Sequence, residues 1–252
     1  MMARHLLMQL TGMNKMSRQP AIRKQSGFTL VELMVTLVVA FLVIAAVYAS
    51  FKVQQQNEKA QQQVTQIQQN LRAAMDMMSR EFPMAGYDPL QSGEYEIIAA
   101  DQNTFSFAAD INEDGEEPDL SLCDERYDFE LDPLTDPTIV VDCGGDPIAE
   151  NIDQIEFRYL LDDGTYTLAP AAGDLGKIVA VRVSILARAG QPDFKYTDNN
   201  TYSTGFTDMD GTVIAGTTWD PADDVLFSYD NKMNYRRRML AKTIYLRNMG
   251  LF

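Results

Sequence analysis

Residues 28–51 constrain this chain more than any other stretch. They form 24 consecutive positions with a single charged side chain, Glu32. At about 1.5 Å per residue a helix of that length reaches about 36 Å, enough to cross a bilayer core of about 30 Å. A carboxylate inside such a run costs roughly 2.5–3.5 kcal/mol at a bilayer centre and less toward the edge. The segment therefore reads as a membrane anchor that retains one charge for a purpose. The preceding residues 1–27 carry five basic side chains (Arg4, Lys15, Arg18, Arg23, Lys24) and no acidic one. By the positive-inside rule this end stays in the cytoplasm and the bulk of the chain lies across the membrane.

The junction between these parts reads Gly27, Phe28, Thr29, Leu30, Val31, Glu32. A basic leader, then Gly, then Phe-Thr-Leu-x-Glu and an apolar helix resembles the type IV prepilin signal. The resemblance implies that a prepilin peptidase cuts between Gly27 and Phe28 and methylates the new amino terminus at Phe28. A residue without a Cβ before the cut suits a protease that must draw an extended backbone against its catalytic groups. The resemblance also assigns Glu32 a partner. Carboxylates packed away from water need a compensating cation, and in the family that cation is the free amino group of a neighbouring subunit's first residue. Met13 and Met16 are alternative starts that would shorten a leader long for the family.

Loss of residues 1–27 leaves 21 − 5 = 16 basic residues against 36 acidic, a formal charge of −20. His5, the only histidine, leaves with them, and with it the commonest general base and metal ligand. So acidic a chain argues against nucleic-acid binding, which rests on neutralising phosphates with Lys and Arg. There is also no nucleophile elbow and no phosphate-cradling glycine loop, so the chain reads as non-enzymatic. Cys123 and Cys143 stand 20 positions apart in the exported part. In an oxidising periplasm one disulfide is expected, worth roughly 3 kcal/mol in the chain-entropy model. Two separately buried thiols are the alternative.

No Gly or Pro falls between residues 28 and 82, so the sequence predicts one helix across that span. Its first half, 28–51, is the transmembrane part. Its second half, 52–82, is glutamine-rich, with Ala60, Val64, Ile67, Leu71, Ala74 and Met78 spaced 4, 3, 4, 3 and 4 apart. That is a narrow apolar stripe suited to pack on the protein's own sheet, and its upper part could also face sibling helices. Residues 83–89, PMAGYDP, end the helix, with Gly86 suited to a positive-φ exit. Strands are expected at 95–100, 104–109, 138–142, 154–161, 166–168 and 177–187, with Asp163-Gly164 as a hairpin cue. Residues 188–231 read as a long loop excursion, the one candidate adhesive surface, and 234–248 as a last strand. Residues 83–252 can bury one core. The expected architecture is α+β: a 1–27 leader, then a long N-terminal helix, transmembrane and then amphipathic, packed on an antiparallel β-sheet pilin globular domain in the periplasm.

Met84-Ala85-Gly86-Tyr87, the stretch from Ala149 through Tyr159, Tyr235-Arg236-Arg237-Arg238 and Leu246-Arg247-Asn248 are similar to PilW-type minor pilins. This resemblance implies a structural subunit in a minor-pilin complex that primes pilus assembly, with a place at the pilus tip as its finer form. The implied partners are prepilin peptidase, other minor and major pilins, and the inner-membrane assembly platform. The implied location is the inner membrane and then the pilus. Many major pilins break the anchor helix with Gly or Pro. This chain does not, which favours a minor position. Two rival readings remain open: a minor pseudopilin of type II secretion, which shares the anchor and the cut, and an adhesive tip protein. The arginine cluster suits local pairing with carboxylates before a docking role. Trp219 suits a core anchor before a sugar platform.

Residues 110–117, DINEDGEE, place oxygen side chains at Asp110, Asn112 and Asp114 before Gly115, like the first half of a calcium loop. Ser121 stands where the bidentate glutamate belongs, so Glu116, Glu117 or Asp119 would have to complete a calcium site; a solvated acidic turn is the plainer reading. Asp208-Met209-Asp210-Gly211 is a shorter echo.

Overall fold

The computed structural model describes residues 27–118, 125–132, 138–142, 146–223 and 227–248, the stretches within 131–148 as backbone only. The chain forms two compact units, Met1–Gln54 and Gln55–Phe252. Helix α1 spans Leu30–Glu81, so the boundary falls inside it. In the first unit Gly27, Phe28 and Thr29 are non-helical and α1 starts at once behind them. The Glu32 N–H donates to Thr29 Oγ1 at 3.2 Å and the Leu33 N–H to the Thr29 carbonyl at 3.1 Å. Thr29 thus caps the helix and satisfies a donor that would otherwise be orphaned.

The second unit holds the rest of α1 and all the strands. Ile67, Leu71, Ala74, Met75 and Met78 are buried on α1. The lower half of the expected stripe is therefore core, while Ala60 and Val64 are only half-buried. The helix passes into a single tight turn at Phe82–Met84, where Pro83 removes a donor. Gly86 follows at φ +68°, a conformation glycine adopts without strain.

A five-stranded antiparallel sheet runs in sequence order: β1 (Ile97–Ala100), β2 (Thr104–Ala108), β3 (Arg126–Asp132), β4 (Thr138–Asp142) and β5 (Asp146–Glu150). A four-stranded antiparallel sheet has the order β13-β8-β6-β7, from β6 (Ile152–Leu161), β7 (Tyr166–Thr167), β8 (Ile178–Arg188) and β13 (Arg237–Tyr245). Phe157 faces Val183 and Ile185 faces Leu240 in its register. The result is an α+β fold, a long helix packed on antiparallel sheets.

Phe82 is fully buried among rings from both sheets: Phe105 at 4.8 Å, Phe129 at 4.9 Å, Phe107 and Phe157 at 6.2 Å. Edge-on contacts of this kind add about 0.5–1.5 kcal/mol each beyond burial. Polar contacts from Tyr159 and Phe157 stitch the sheets together. The Tyr159 hydroxyl lies 2.8 Å from the Asp101 carbonyl and 2.9 Å from that of Thr104, and the Phe157 N–H donates to the Gln102 carbonyl at 2.7 Å.

The 188–231 stretch is not one open loop. It contains two antiparallel ribbons, β9 (Tyr202–Ser203) with β12 (Thr218–Trp219) and β10 (Phe206–Thr207) with β11 (Val213–Ile214). These ribbons cover the outer face of the four-stranded sheet. Arg158 donates to the Ala215 carbonyl at 2.8 Å, and the Arg182 guanidinium lies over the Phe206 ring at 4.0 Å. Trp219 packs with Leu186 and Phe227 in a second small core. Gly205 and Gly216 pass so closely that a Cβ on Gly216 would fall 1.8 Å from the Gly205 nitrogen.

Candidate functional site

In the first unit the residues expected to be processed lie in the open. Phe28 is 82% exposed, and a Cβ added at Gly27 would meet nothing within 4 Å. The large side chains that follow, among them Leu30, Phe41, Leu42, Ile44 and Val47, are each more than half exposed. Glu32 is exposed in the first turn of α1, where the helix dipole favours an anion. By length and composition α1 can cross a membrane, and none of its apolar window is buried. A helix apolar on all sides with no face covered needs lipid or other helices around it. Thr29 as the cap, with Glu32 three residues on, is the Thr-x-x-Glu pattern of a capping box. The sequence carried that signal, but the prepilin reading of the same residues left it unused.

The expected disulfide pair, Cys123 and Cys143, lies outside the described residues, as do Asp119 and Ser121. Two of the three expected calcium ligands do come together, with one that was not expected. One carboxylate oxygen each from Asp110, Asp114 and Glu125 lie within 4.8 Å of one another. Asn112 Oδ1 accepts the Asp114 N–H and Asp114 Oδ1 that of Glu116, both at 2.8 Å, while Asp110 Oδ2 takes the Gly115 N–H at 3.2 Å. Gly115 sits at φ +65°. The side chains of Glu116 and Glu117, offered as completing ligands, are not in the group. The Glu116 backbone carbonyl instead accepts the Tyr95 hydroxyl at 2.6 Å.

Glu125 enters from the residue just before β3, and its Oε2 lies 3.2 Å from the same Tyr95 hydroxyl. It stands fifteen positions after Asp110, beyond the reach of a contiguous loop pattern, and only strand pairing brings it back. Burial pushes its carboxyl above the usual range, and the Asp114 and Asp110 charges push the same way against the Tyr95 hydrogen bond. Burial and the Glu125 charge likewise raise the Tyr95 phenol. At the second acidic loop Asp208 Oδ1 accepts the Asp210 and Thr212 N–H groups, closing a hairpin turn between β10 and β11.

The arginine cluster pairs within the unit. Arg237, fully buried, spends all five donors: Nε on Asp153 at 2.6 Å, Nη1 on Asp198 at 3.1 Å and the Tyr235 carbonyl, Nη2 on the Tyr229 hydroxyl and the Lys232 carbonyl. Burial works against the Arg237 cation, but the Asp153 charge outweighs it and raises its pKa above the usual arginine value. Arg188 pairs with the other Asp153 oxygen at 3.0 Å, and Arg236 with Asp193 at 3.0 Å. This network holds the 188–231 excursion on the sheet and leaves Arg238 exposed.

A family model described as Type IV Pilus-assembly protein W matches residues 134–248. A second, the prokaryotic N-terminal methylation motif, matches residues 22–48 and so spans Gly27, Phe28 and Glu32. Among solved structures, a type IV-like pilin from Thermus thermophilus is similar over 72% of this chain and 97% of its own, at 12% identity and a TM-score of 0.43. No curated protein matches the chain.

Proposed function

We propose that this chain, a type IV pilin of the PilW type, works as a minor, non-enzymatic subunit that helps initiate pilus assembly and sits at or near the tip. Prepilin peptidase cuts between Gly27 and Phe28 and methylates Phe28. The exposed, non-helical backbone at 27–29 is what a protease needs to draw a substrate into extended form. The anchor half of α1 holds the subunit in the inner membrane until it enters the fibre. There Glu32 meets the amino group of a neighbouring pilin's first residue. The observation that carries this reading is the coincidence of the methylation motif with an apolar helix that has no covered face and one charge near its start.

The match of residues 134–248 to the PilW model favours the pilus over a type II secretion pseudopilin. Deletion of the gene, with complementation, tests the reading. Loss of pili restored by the wild-type chain but not by Glu32→Ala, with the subunit scarce in sheared fibres, is expected. Normal piliation with failed protein secretion would move the chain to the secretion system.

A further inference from the structure

Six carboxylate residues are buried among the described residues: Asp110, Glu125, Asp128, Asp153, Glu156 and Asp198. Four have a guanidinium partner. Arg126 pairs with Asp128, Arg158 with Glu156, and Arg237 with both Asp153 and Asp198. The remaining two, Asp110 at 0% and Glu125 at 9% exposure, have no cation among the described residues. They are the two buried members of the oxygen triangle closed by Asp114. Asp110 Oδ1 and Glu125 Oε1 are buried with no partner in hydrogen-bonding geometry, and besides Tyr95 only the Asn112 backbone N–H among the described residues favours the Glu125 anion. Burying an ionised carboxylate without a compensating charge is strongly unfavourable, and here two are buried beside a third. Every other buried acid among the described residues is neutralised by arginine, which leaves this place for a cation of another kind.

We propose that Asp110, Asp114 and Glu125 form a calcium site that ties the loop after β2 to the residue leading into β3. The donors are all carboxylate oxygens, which select hard cations over zinc or copper. Their spread, within 4.8 Å, fits oxygens placed around one ion at calcium–oxygen distances of about 2.4 Å. Calcium takes irregular sets of six to eight oxygens, whereas magnesium demands a near-ideal octahedron. The three side chains bring up to three negative charges to one point, and the ion removes the repulsion that they otherwise impose on the fold. The Tyr95 hydroxyl, shared between Glu125 Oε2 and the Glu116 carbonyl, holds Glu125 and the loop backbone in one frame.

The test uses the full-length chain in detergent, stripped with EDTA and titrated with calcium chloride or magnesium chloride by calorimetry and thermal unfolding. One saturable calcium site is expected, with a rise in Tm that magnesium does not reproduce. Asp110→Asn and Glu125→Gln should each weaken calcium binding by at least about tenfold, while Asp208→Asn leaves it unchanged. In EDTA the same two variants should be as stable as the wild type or more so, because each removes an uncompensated buried charge; a purely structural role predicts a loss instead. If Asp110→Asn does not fold, the exposed Asp114→Asn carries the affinity measurement. No calcium-dependent heat or Tm shift up to about 10 mM, well above the affinities of weak extracellular sites, overturns the proposal. So does an equal response to magnesium, or binding that survives in the neutralised variants.

Discussion

Thr29 Oγ1 accepts the Glu32 backbone N–H at 3.2 Å, so the residue that ends the non-helical tail also fixes where the anchor helix begins. Glu32 therefore has two separable roles: its position completes a cap, and its charge is free for a neighbour. Glutamine serves in a capping box as well as glutamate does. Glu32→Gln and Glu32→Ala should both insert and be processed, and both should enter fibres poorly. Quantifying the subunit in sheared fibres checks this. Recovery of incorporation by Gln alone would assign Glu32 to the cap.

Phe82 is the point where helix and both sheets meet, and its ring touches four others. Phe82→Ala should destabilise the chain by about 3–5 kcal/mol, and Phe82→Leu by clearly less, because the cavity left is smaller. Denaturant unfolding of the two variants measures the difference. A loss under about 1 kcal/mol for the alanine variant would mean that the ring cluster is not the centre of the core.

The Asp153–Arg237 pair sits at 0% side-chain exposure on both partners. Arg237→Met should cost about 3–5 kcal/mol, since it strands Asp198 in the interior and leaves Asp153 with Arg188 alone. The double variant Asp198→Asn with Arg237→Met should recover part of that loss, because Asp153 keeps Arg188 and the stranded Asp198 charge of this second buried pair is gone. Additive losses in a double-mutant cycle would show that the pair is not coupled.

Gly216→Ala places a methyl group against the Gly205 backbone, which cannot yield as a flexible side chain could. The two ribbons should separate, and proteolysis within 188–231 should accelerate before global unfolding does. Unchanged cleavage kinetics would contradict the close crossing.

Asp193 is held below the ordinary carboxylate range; its burial opposes this, but the Arg236 hydrogen bond and charge outweigh it. A depressed folded-state pKa gives stability that is present above the unfolded value of about 3.9 and is lost as pH falls through the folded value. Asp193→Asn should therefore lower Tm at pH 7 and make no difference near pH 2. The pair is partly exposed, so the gap should be small, under about 1 kcal/mol. An equal Tm difference at both pH values would remove the ion pair as its cause.

The long helix, its apolar stripe and most of the four-stranded sheet were legible because each is a continuous local pattern. Strand β3 was missed because Arg126, Asp128, Glu130 and Asp132 read as solvated acidic chain; only Asp128, paired to Arg126, reveals that polar residues sit inside. Strand β5 was missed because Asp146 and Pro147 mark a turn in isolation. The ribbons of 188–231 are two residues per strand, too short for any periodicity. Glu125 was invisible for the reason that makes it informative: its oxygen reaches Asp110 through strand pairing across the sheet. Local spacing marks the acidic loop, and tertiary structure adds the third carboxylate.

Maturation of the subunit turns on the junction of Gly27 and Phe28. Intact-mass and N-terminal sequence analysis of the protein from cells with an active prepilin peptidase measures it directly. The prediction is a chain that begins at Phe28 and carries one added methyl group, with Gly27→Leu blocking the change. A protein that keeps residues 1–27 under those conditions contradicts it.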